Sequence, residues 1–460
     1  MGLRANSANR TSDIGLDCMP HPLIIIGAGW AGLAAAARAI TDGHNVIVLE
    51  ERPYIGGRAR SFVDATTGET IDNGQHLLMG CYREVLRMLN VAGTTHLLAQ
   101  QKALRVEFKD ISGEHATLDA SILQGKAGVA LGILRLRGLS LAERLGILRV
   151  SLRIMRGKAS GNGQTCGEFL RNEAQSARAI LRFWEPVILA TLNASVDVAA
   201  ASLLVTVMKL AFFGGSLADS TMLIPRCGLA ELVHPLSEVI QTTGGSILTS
   251  MSAEEIVVAN GVATAVRLQN GTLQPCSNVI IAVPPYALAR LLKPEVVPQV
   301  CTSLRYSPIV SVYLWFNQQI ESAGFMSMLG TTTQWVFNRR VLARADAAVE
   351  RAFPGHLALT VSAGDEIVSM DGFQIVERCM QELHAILPGM QQAELLHHVV
   401  IKEKRATPCI TPQVEAMREA VPLPYANVAL AGDWTGTGLP ATLEGAARSG
   451  VAAYEALMAS

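Results

Sequence analysis

Residues 24–36 read IIIGAGWAGLAAA. A short β-branched run, Leu23 to Ile26, meets a glycine-rich stretch, Gly27 to Gly32, and passes into alanine-rich residues, Leu33 to Ile40, that favour a helix. Gly27, Gly29 and Gly32 have G-x-G-x-x-G spacing directly between the strand and the helix. Gly27 permits the tight turn, Gly29 lets a pyrophosphate approach the backbone, and Gly32 lets helix and strand pack closely. After a turn at Asp42-Gly43, Val46 to Leu49 reads as a second strand. Glu50 ends it, at the spacing where a carboxylate accepts hydrogen bonds from a ribose diol. The chain proper therefore opens with a βαβ unit of a Rossmann-like, doubly wound α/β domain.

Two distant segments extend that domain. From about Gly244 to Pro285, Asn-Gly turns at 260–261 and 270–271 separate alternating segments, which predicts a β-meander. It closes on NVIIAVPP, a continuous apolar strand suited to a parallel sheet covered on both faces. From Val428 to Met458 the order is again strand, glycine turn and helix. The expected division is 21–90, 225–290 and 410–460 for the nucleotide domain, with 91–224 and 291–409 forming an inserted α+β substrate domain. Residues 1–20 read as a disordered tail, without the apolar core of a secretion signal.

Composition narrows the function. Half of the 460 residues are hydrophobic, 17% are charged and the net charge is −1, which gives no basis for binding nucleic acid. The eight cysteines include no C-x-x-C pair and no histidines at ligand spacing, so no metal site is expected. They read as reduced thiols of a cytoplasmic protein. No run approaches twenty uncharged apolar residues, so no bilayer span is expected.

The glycine motif alone does not separate NAD from FAD. LEERPYIGGRARS, with Gly56-Gly57-Arg58, resembles the pattern that follows the second strand in the flavin-dependent amine oxidase and phytoene desaturase superfamily. That resemblance places the Gly57 backbone near FAD and Arg58 beside its phosphates; the alternative for Arg58 is a surface charge. NVALAGDWTGTGLPATLEGAARSG resembles the superfamily's second flavin motif. It implies that Gly432-Asp433 meets the ribityl or pyrophosphate region. The N–H groups of Thr442, Leu443 and their neighbours would then begin a helix aimed at the flavin pyrimidine. PRCGLAEL at 225–232 is similar to a further superfamily segment, and Ile256 falls where the superfamily's backbone clamps adenine. These matches cover about one third of the chain and imply FAD as cofactor.

ETIDNGQHLLMGCY, Glu69 to Tyr82, narrows the choice. Asp72-Asn73-Gly74 fits the superfamily's D-x-G element, which puts Gly74, Gln75 and His76 beside the isoalloxazine ring. Together with EKRAT at 403–407, the run resembles the hydroxysqualene dehydroxylases, squalene-associated flavoenzymes of hopanoid biosynthesis. The reaction so implied reduces an allylic alcohol, hydroxysqualene, to squalene. Loss of hydroxide needs an acid, and His76 is the expected catalytic residue because its ordinary pKa lies near neutrality. A histidine that only positions the flavin or caps a helix is the alternative. Asp72 reads as structural, and Trp434 as either a flavin-facing or a core residue. The rival functions are a carotenoid or phytoene-type desaturase and, behind it, an amine oxidase.

Residues 131–158, LGILRLRGLSLAERLGILRVSLRIMRGK, place arginines along an apolar face and suit an interfacial helix. The implied partners are a hydrophobic isoprenoid substrate and, through this segment, the inner face of the cytoplasmic membrane. A basic face over an ordinary core stripe is the alternative.

Overall fold

A computed structural model describes residues 21–123, 125–343, 345–418 and 423–459; the N-terminal segment expected to be a tail lies outside them. At the centre is a five-stranded sheet in the order Ser246–Leu248, Val46–Leu49, Leu23–Ile26, Asn278–Ile281, Val428–Leu430. Its strand pairs are all parallel. The chain thus contributes from its start, middle and end to one sheet. Leu23 to Ile26 are all buried, as expected for a strand covered on both faces. The helices Trp30–Thr41 and Leu443–Met458 cover one face together, in contact at Gly450, where a Cβ would come within 1.9 Å of the Ala31 carbonyl oxygen.

The expected meander is shorter than its sequence span. Ala253–Ala259, Val262–Leu268 and Leu273–Pro275 form it. Ser246–Leu248 instead joins the parallel sheet, because the preceding helix Pro235–Thr242 returns the chain to run alongside Val46–Leu49.

The second layer is a seven-stranded sheet in the order Leu395–Pro408, Tyr306–Phe316, Gly355–Ser362, Trp335–Asn338, Phe325–Leu329, Arg105–Asp110, His115–Asp119. Period-two alternation splits its side chains. Val310, Val312 and Leu314 pack in one core with Ile375, Cys379 and Leu383 of the helix Gly372–Ile386. Ser311, Tyr313 and Trp315 point the other way, toward residues 69–74.

A helical insert completes the fold. Asn193, left-handed at the end of the helix Glu185–Leu192, ties it to the large sheet. Its side chain donates to Ser307 O at 3.2 Å and Thr407 Oγ1 at 2.9 Å and accepts from Ala363 N at 2.7 Å. The segment 131–158 is not one helix. Gly138, at φ +80°, turns the chain between Gly125–Arg135 and Leu141–Met155, and Ser140 starts the second helix in a reciprocal cap with Glu143. Among the described residues no helix is long and apolar enough to cross a membrane.

Candidate functional site

The glycine turn has the geometry its sequence demands. Gly27 is at φ +105°, and a Cβ there would stand 2.5 Å from the Ala282 carbonyl oxygen, so no other residue fits without strain. Gly32 packs its Cα against Gly27 O. Glu50 is buried, with Oε2 accepting from Ala28 N at 2.8 Å and Oε1 from Arg52 N at 2.9 Å. A carboxylate has about four acceptor directions, so both oxygens retain capacity for a ribose diol. Burial raises the Glu50 pKa, and the two backbone donors oppose that rise.

Gly56 N donates to Ala28 O at 2.9 Å, which docks the double glycine on the first turn. A Cβ on Gly57 would lie 3.2 Å from Gly29 Cα, whereas one on Gly29 would meet no protein atom within 4 Å. The turn is therefore crowded on its protein side and unobstructed on its outer side. Arg58 reaches across two further segments: Nη1 donates to Ala406 O at 2.8 Å and Nη2 pairs with Asp433 Oδ1 at 2.7 Å. Asp433 is buried, and Arg418, itself fully buried, donates to the backbone oxygens of Asp433 and Leu439. Four separated pieces of chain thus converge on one turn.

Trp434 belongs to the core. Its indole is fully buried, packs against Gly432 and donates to Val283 O at 3.1 Å. The C-terminal helix starts at Leu443 with Thr442 as its cap. Of the four N–H groups expected to face a ligand, Thr442 N is bound to Pro440 O and Gly445 N to Thr442 Oγ1. Leu443 and Glu444 remain as the first-turn donors. Ile256 lies with its side chain buried in the meander, paired with Val266; the residues that meet the Glu50 strand end are Leu248, Ser250 and Met251.

The run 72–76 is clamped between the glycine loops and the large sheet. Asn73 Nδ2 donates to Arg58 O and to Glu403 Oε2, both at 3.1 Å. Tyr313 Oη donates to Asp72 O at 2.9 Å, and a Cβ on Gly74 would be 3.4 Å from Ser311 Oγ and 3.9 Å from His76 Cε1. Asp72 itself is structural: Oδ1 accepts from Ser61 Oγ at 2.6 Å and from Leu229 N at 2.9 Å, at the start of the helix Leu229–Val233. Burial raises its pKa. Gln75 Oε1 accepts from Arg339 Nη1 at 3.0 Å. Since a guanidinium only donates, this contact fixes the orientation of the Gln75 amide.

His76 Nδ1 lies 2.6 Å from Gly74 O. A carbonyl only accepts, so Nδ1 carries the proton and Nε2 of the neutral ring is the basic atom. Burial lowers the His76 pKa; the Gly74 hydrogen bond and the Asp72 charge oppose that fall. The neutral ring dominates at pH 7, and an imidazolium formed there is a stronger acid than in water. Tyr313, Phe325, Phe337 and Ala358 lie on one sheet face with Ser311, and of these Tyr313 and Ser311 meet this run.

Arg339, Ser311, Tyr313 and Arg418 were not legible as site residues. Strand residues carry no spacing signal for what faces them across a sheet. A cavity of about 280 Å³ shares Arg339 with the site but is lined by Glu69, Arg226, Glu231 and Arg340. Its charged walls do not suit a hydrocarbon.

The sequence matches the family described as "Flavin containing amine oxidoreductase" over residues 30–458. The chain belongs to that family. It is an FAD-dependent oxidoreductase, and its residues fit the cofactor: the unobstructed outer side of Gly29, the acceptors of Glu50 and the Arg58–Asp433 pair all stand at one turn. Within the family the chain belongs with the hydroxysqualene dehydroxylases. It is 30% identical to the "Hydroxysqualene dehydroxylase" of Rhodopseudomonas palustris, over 96% of this chain and 99% of that one. Identity to the protein of that name from Sinorhizobium fredii is 28%, over 94% and 97%. The "15-cis-phytoene desaturase, chloroplastic/chromoplastic" of Narcissus pseudonarcissus is 25% identical, over 93% of this chain and 78% of its own length. Among solved structures, an oxidoreductase from Methanosarcina mazei superposes with a TM-score of 0.71 at 17% identity, covering 94% of this chain and all of that one. That likeness concerns the fold alone.

Proposed function

We propose that this flavoenzyme reduces hydroxysqualene to squalene. The carrying observation is the position of Gln75-His76. This pair, part of the run that resembles the hydroxysqualene dehydroxylases, directly follows Asp72–Gly74, which are held between the glycine-loop segment at Arg58 and the large sheet. Full-length identity to hydroxysqualene dehydroxylases supports the same reading.

The reaction requires breaking a C–O bond whose leaving group is poor until protonated. One alcohol, one proton and one hydride become one hydrocarbon and one water. Reduced FAD, when bound, supplies the hydride. Gly27, Gly29, Gly57, Arg58 and Asp433 would hold its phosphates and ribityl chain, and Glu50 its ribose. With Nδ1 committed to Gly74 O, His76 exchanges protons at Nε2. Its burial makes the imidazolium a strong donor to the leaving oxygen. The sheet face that Tyr313 presents to this run, continued by Phe325 and Phe337, would supply apolar surface where an allylic cation escapes capture by water.

The test is product analysis in two arms. Chemically reduced holoenzyme is incubated with hydroxysqualene, and oxidised holoenzyme with a carotenoid precursor, both without oxygen. Squalene in the first arm and no new double bonds in the second is the expected result. The reverse outcome would assign the protein to the desaturases.

A further inference from the structure

The helix Leu141–Met155 carries apolar side chains that no other part of the protein covers among the described residues. Leu141, Leu145 and Leu152 are 63%, 52% and 40% exposed, and Met155 is 39% exposed. With half-buried Leu148 they follow one another at intervals of four, three, four and three residues, which is a single stripe along one face. The opposite face, Ile147, Val150 and Ile154, fills the core. A soluble helix needs only one apolar face, and this one has two.

Charge borders the outer stripe. Arg149 and Arg156 each stand four residues after a stripe leucine, Leu145 and Leu152, and are exposed. Arg149 donates to the Glu173 backbone oxygen, which leaves its charge unneutralised, while Arg153 pairs with the Glu173 carboxylate at 2.9 Å. An apolar strip with unpaired guanidinium groups along its edge matches a surface of hydrocarbon beneath anionic headgroups.

Neighbouring segments extend the patch. The helix packs against Gly125–Arg135 and Met208–Phe212, and Leu123, Leu210 and Leu217 nearby are also exposed. Leu123 and Leu217 line a cavity of about 210 Å³ together with Leu104, Ala120, Lys102, Ser220 and Thr221. Thr221 O accepts from Gly80 N at 2.9 Å, four residues beyond His76. Exposed leucines near the helix therefore line a cavity that is bonded through Thr221 to the segment following His76.

We infer that this face docks on an anionic lipid bilayer, with the outer stripe in the acyl boundary and Arg149 and Arg156 at the phosphates. The route for a water-insoluble substrate at Leu123 and Leu217 rests on the proposed reaction; docking does not.

The test uses full-length holoenzyme and sedimentation with vesicles of phosphatidylglycerol and phosphatidylcholine, or of phosphatidylcholine alone. Wild type is expected to sediment with the anionic vesicles, less so at high salt. Leu141→Ser/Leu145→Ser/Leu152→Ser, all at exposed positions, should lower binding tenfold or more, and Arg149→Glu/Arg156→Glu should abolish the preference for anionic lipid. FAD content and thermal melting check that both variants fold. Undiminished binding by both variants, or no binding by wild type, overturns the inference. So does a wild-type dimer that the leucine variant converts to monomer, since the stripe would then belong to a second copy. Vesicle binding is read without turnover, so its failure is distinguishable from failure of the proposed reaction.

Discussion

Arg58 Nη2 lies 2.7 Å from Asp433 Oδ1, joining residues 375 positions apart beside the glycine turn. Asp433 is buried and Arg58 partly exposed. Removing the carboxylate leaves the guanidinium without its counter-charge and frees the loop that Arg418 also holds. Asp433→Ala is expected to weaken FAD binding by about ten- to a hundredfold, which corresponds to roughly 1.4–2.8 kcal/mol. Arg58→Lys, which keeps charge but not the two-armed reach to Ala406 and Asp433, should fall between wild type and Arg58→Ala. Fluorescence titration of the apoprotein with FAD measures both.

His76→Ala should leave FAD bound and slow the dehydroxylation step by about a hundredfold or more, the usual range for a lost general acid. Retained flavin absorbance with slow squalene formation is the expected pair of readings. Loss of flavin together with activity would make the histidine structural.

His356 tests the large sheet's inner face. It is 1% exposed, stacks on Trp315 at 4.2 Å between ring centroids, and has Nδ1 3.3 Å from Glu69 Oε2, off line for a hydrogen bond. Burial pushes its pKa down to about 4; the Glu69 carboxylate opposes this, and Arg339 and Arg340 reinforce it. Below the ordinary histidine pKa the unfolded chain takes up a proton that the folded chain refuses. Stability is therefore expected to fall as pH drops from about 6.5 toward 4, by up to about 3 kcal/mol from this residue. The Glu69 carboxyl, held below its usual range despite burial by His356 and Arg340, adds a loss only at still lower pH. His356→Phe keeps an aromatic ring on Trp315 and removes the titration. Urea midpoints across that pH window should flatten in the variant; parallel curves would contradict the assignment.

Glu444 links the C-terminal helix to Arg83–Val91. Its buried carboxylate accepts from Glu84 N and Val85 N at 3.1–3.2 Å and pairs with Arg448 at 3.2 Å. Glu444→Ala strands two helix-start donors and should cost about 1–3 kcal/mol of stability. Glu444→Gln, which keeps an acceptor, should recover most of it in chemical denaturation.

The parts of this protein that were legible in sequence are those where backbone geometry forces residue type. Gly27 must adopt positive φ and Gly32 must touch backbone, so their spacing is visible without a structure. The central parallel strands also announced themselves, because burial on both faces leaves continuous apolar runs, whereas the half-buried edge strand Ser246–Leu248 read as part of the meander. Ser311, Tyr313 and Arg339 did not, since their relation to Gly74 and Gln75 depends on the register of a sheet assembled from distant segments. Trp434 was ambiguous because its neighbour Asp433 faces the site; only the positive φ of Gly432, +151°, and the packing of the indole on that glycine turn it inward. The segment 131–158 read as one amphipathic helix because hydrophobic spacing continues through Gly138, which the chain uses as a turn.

The most direct measurement is a single turnover without oxygen: holoenzyme reduced beforehand is mixed rapidly with hydroxysqualene while flavin absorbance and squalene are followed. The proposed reaction predicts that flavin reoxidises with one squalene formed per flavin oxidised. A flavin that stays reduced with the alcohol present, or reoxidises without squalene appearing, would contradict it.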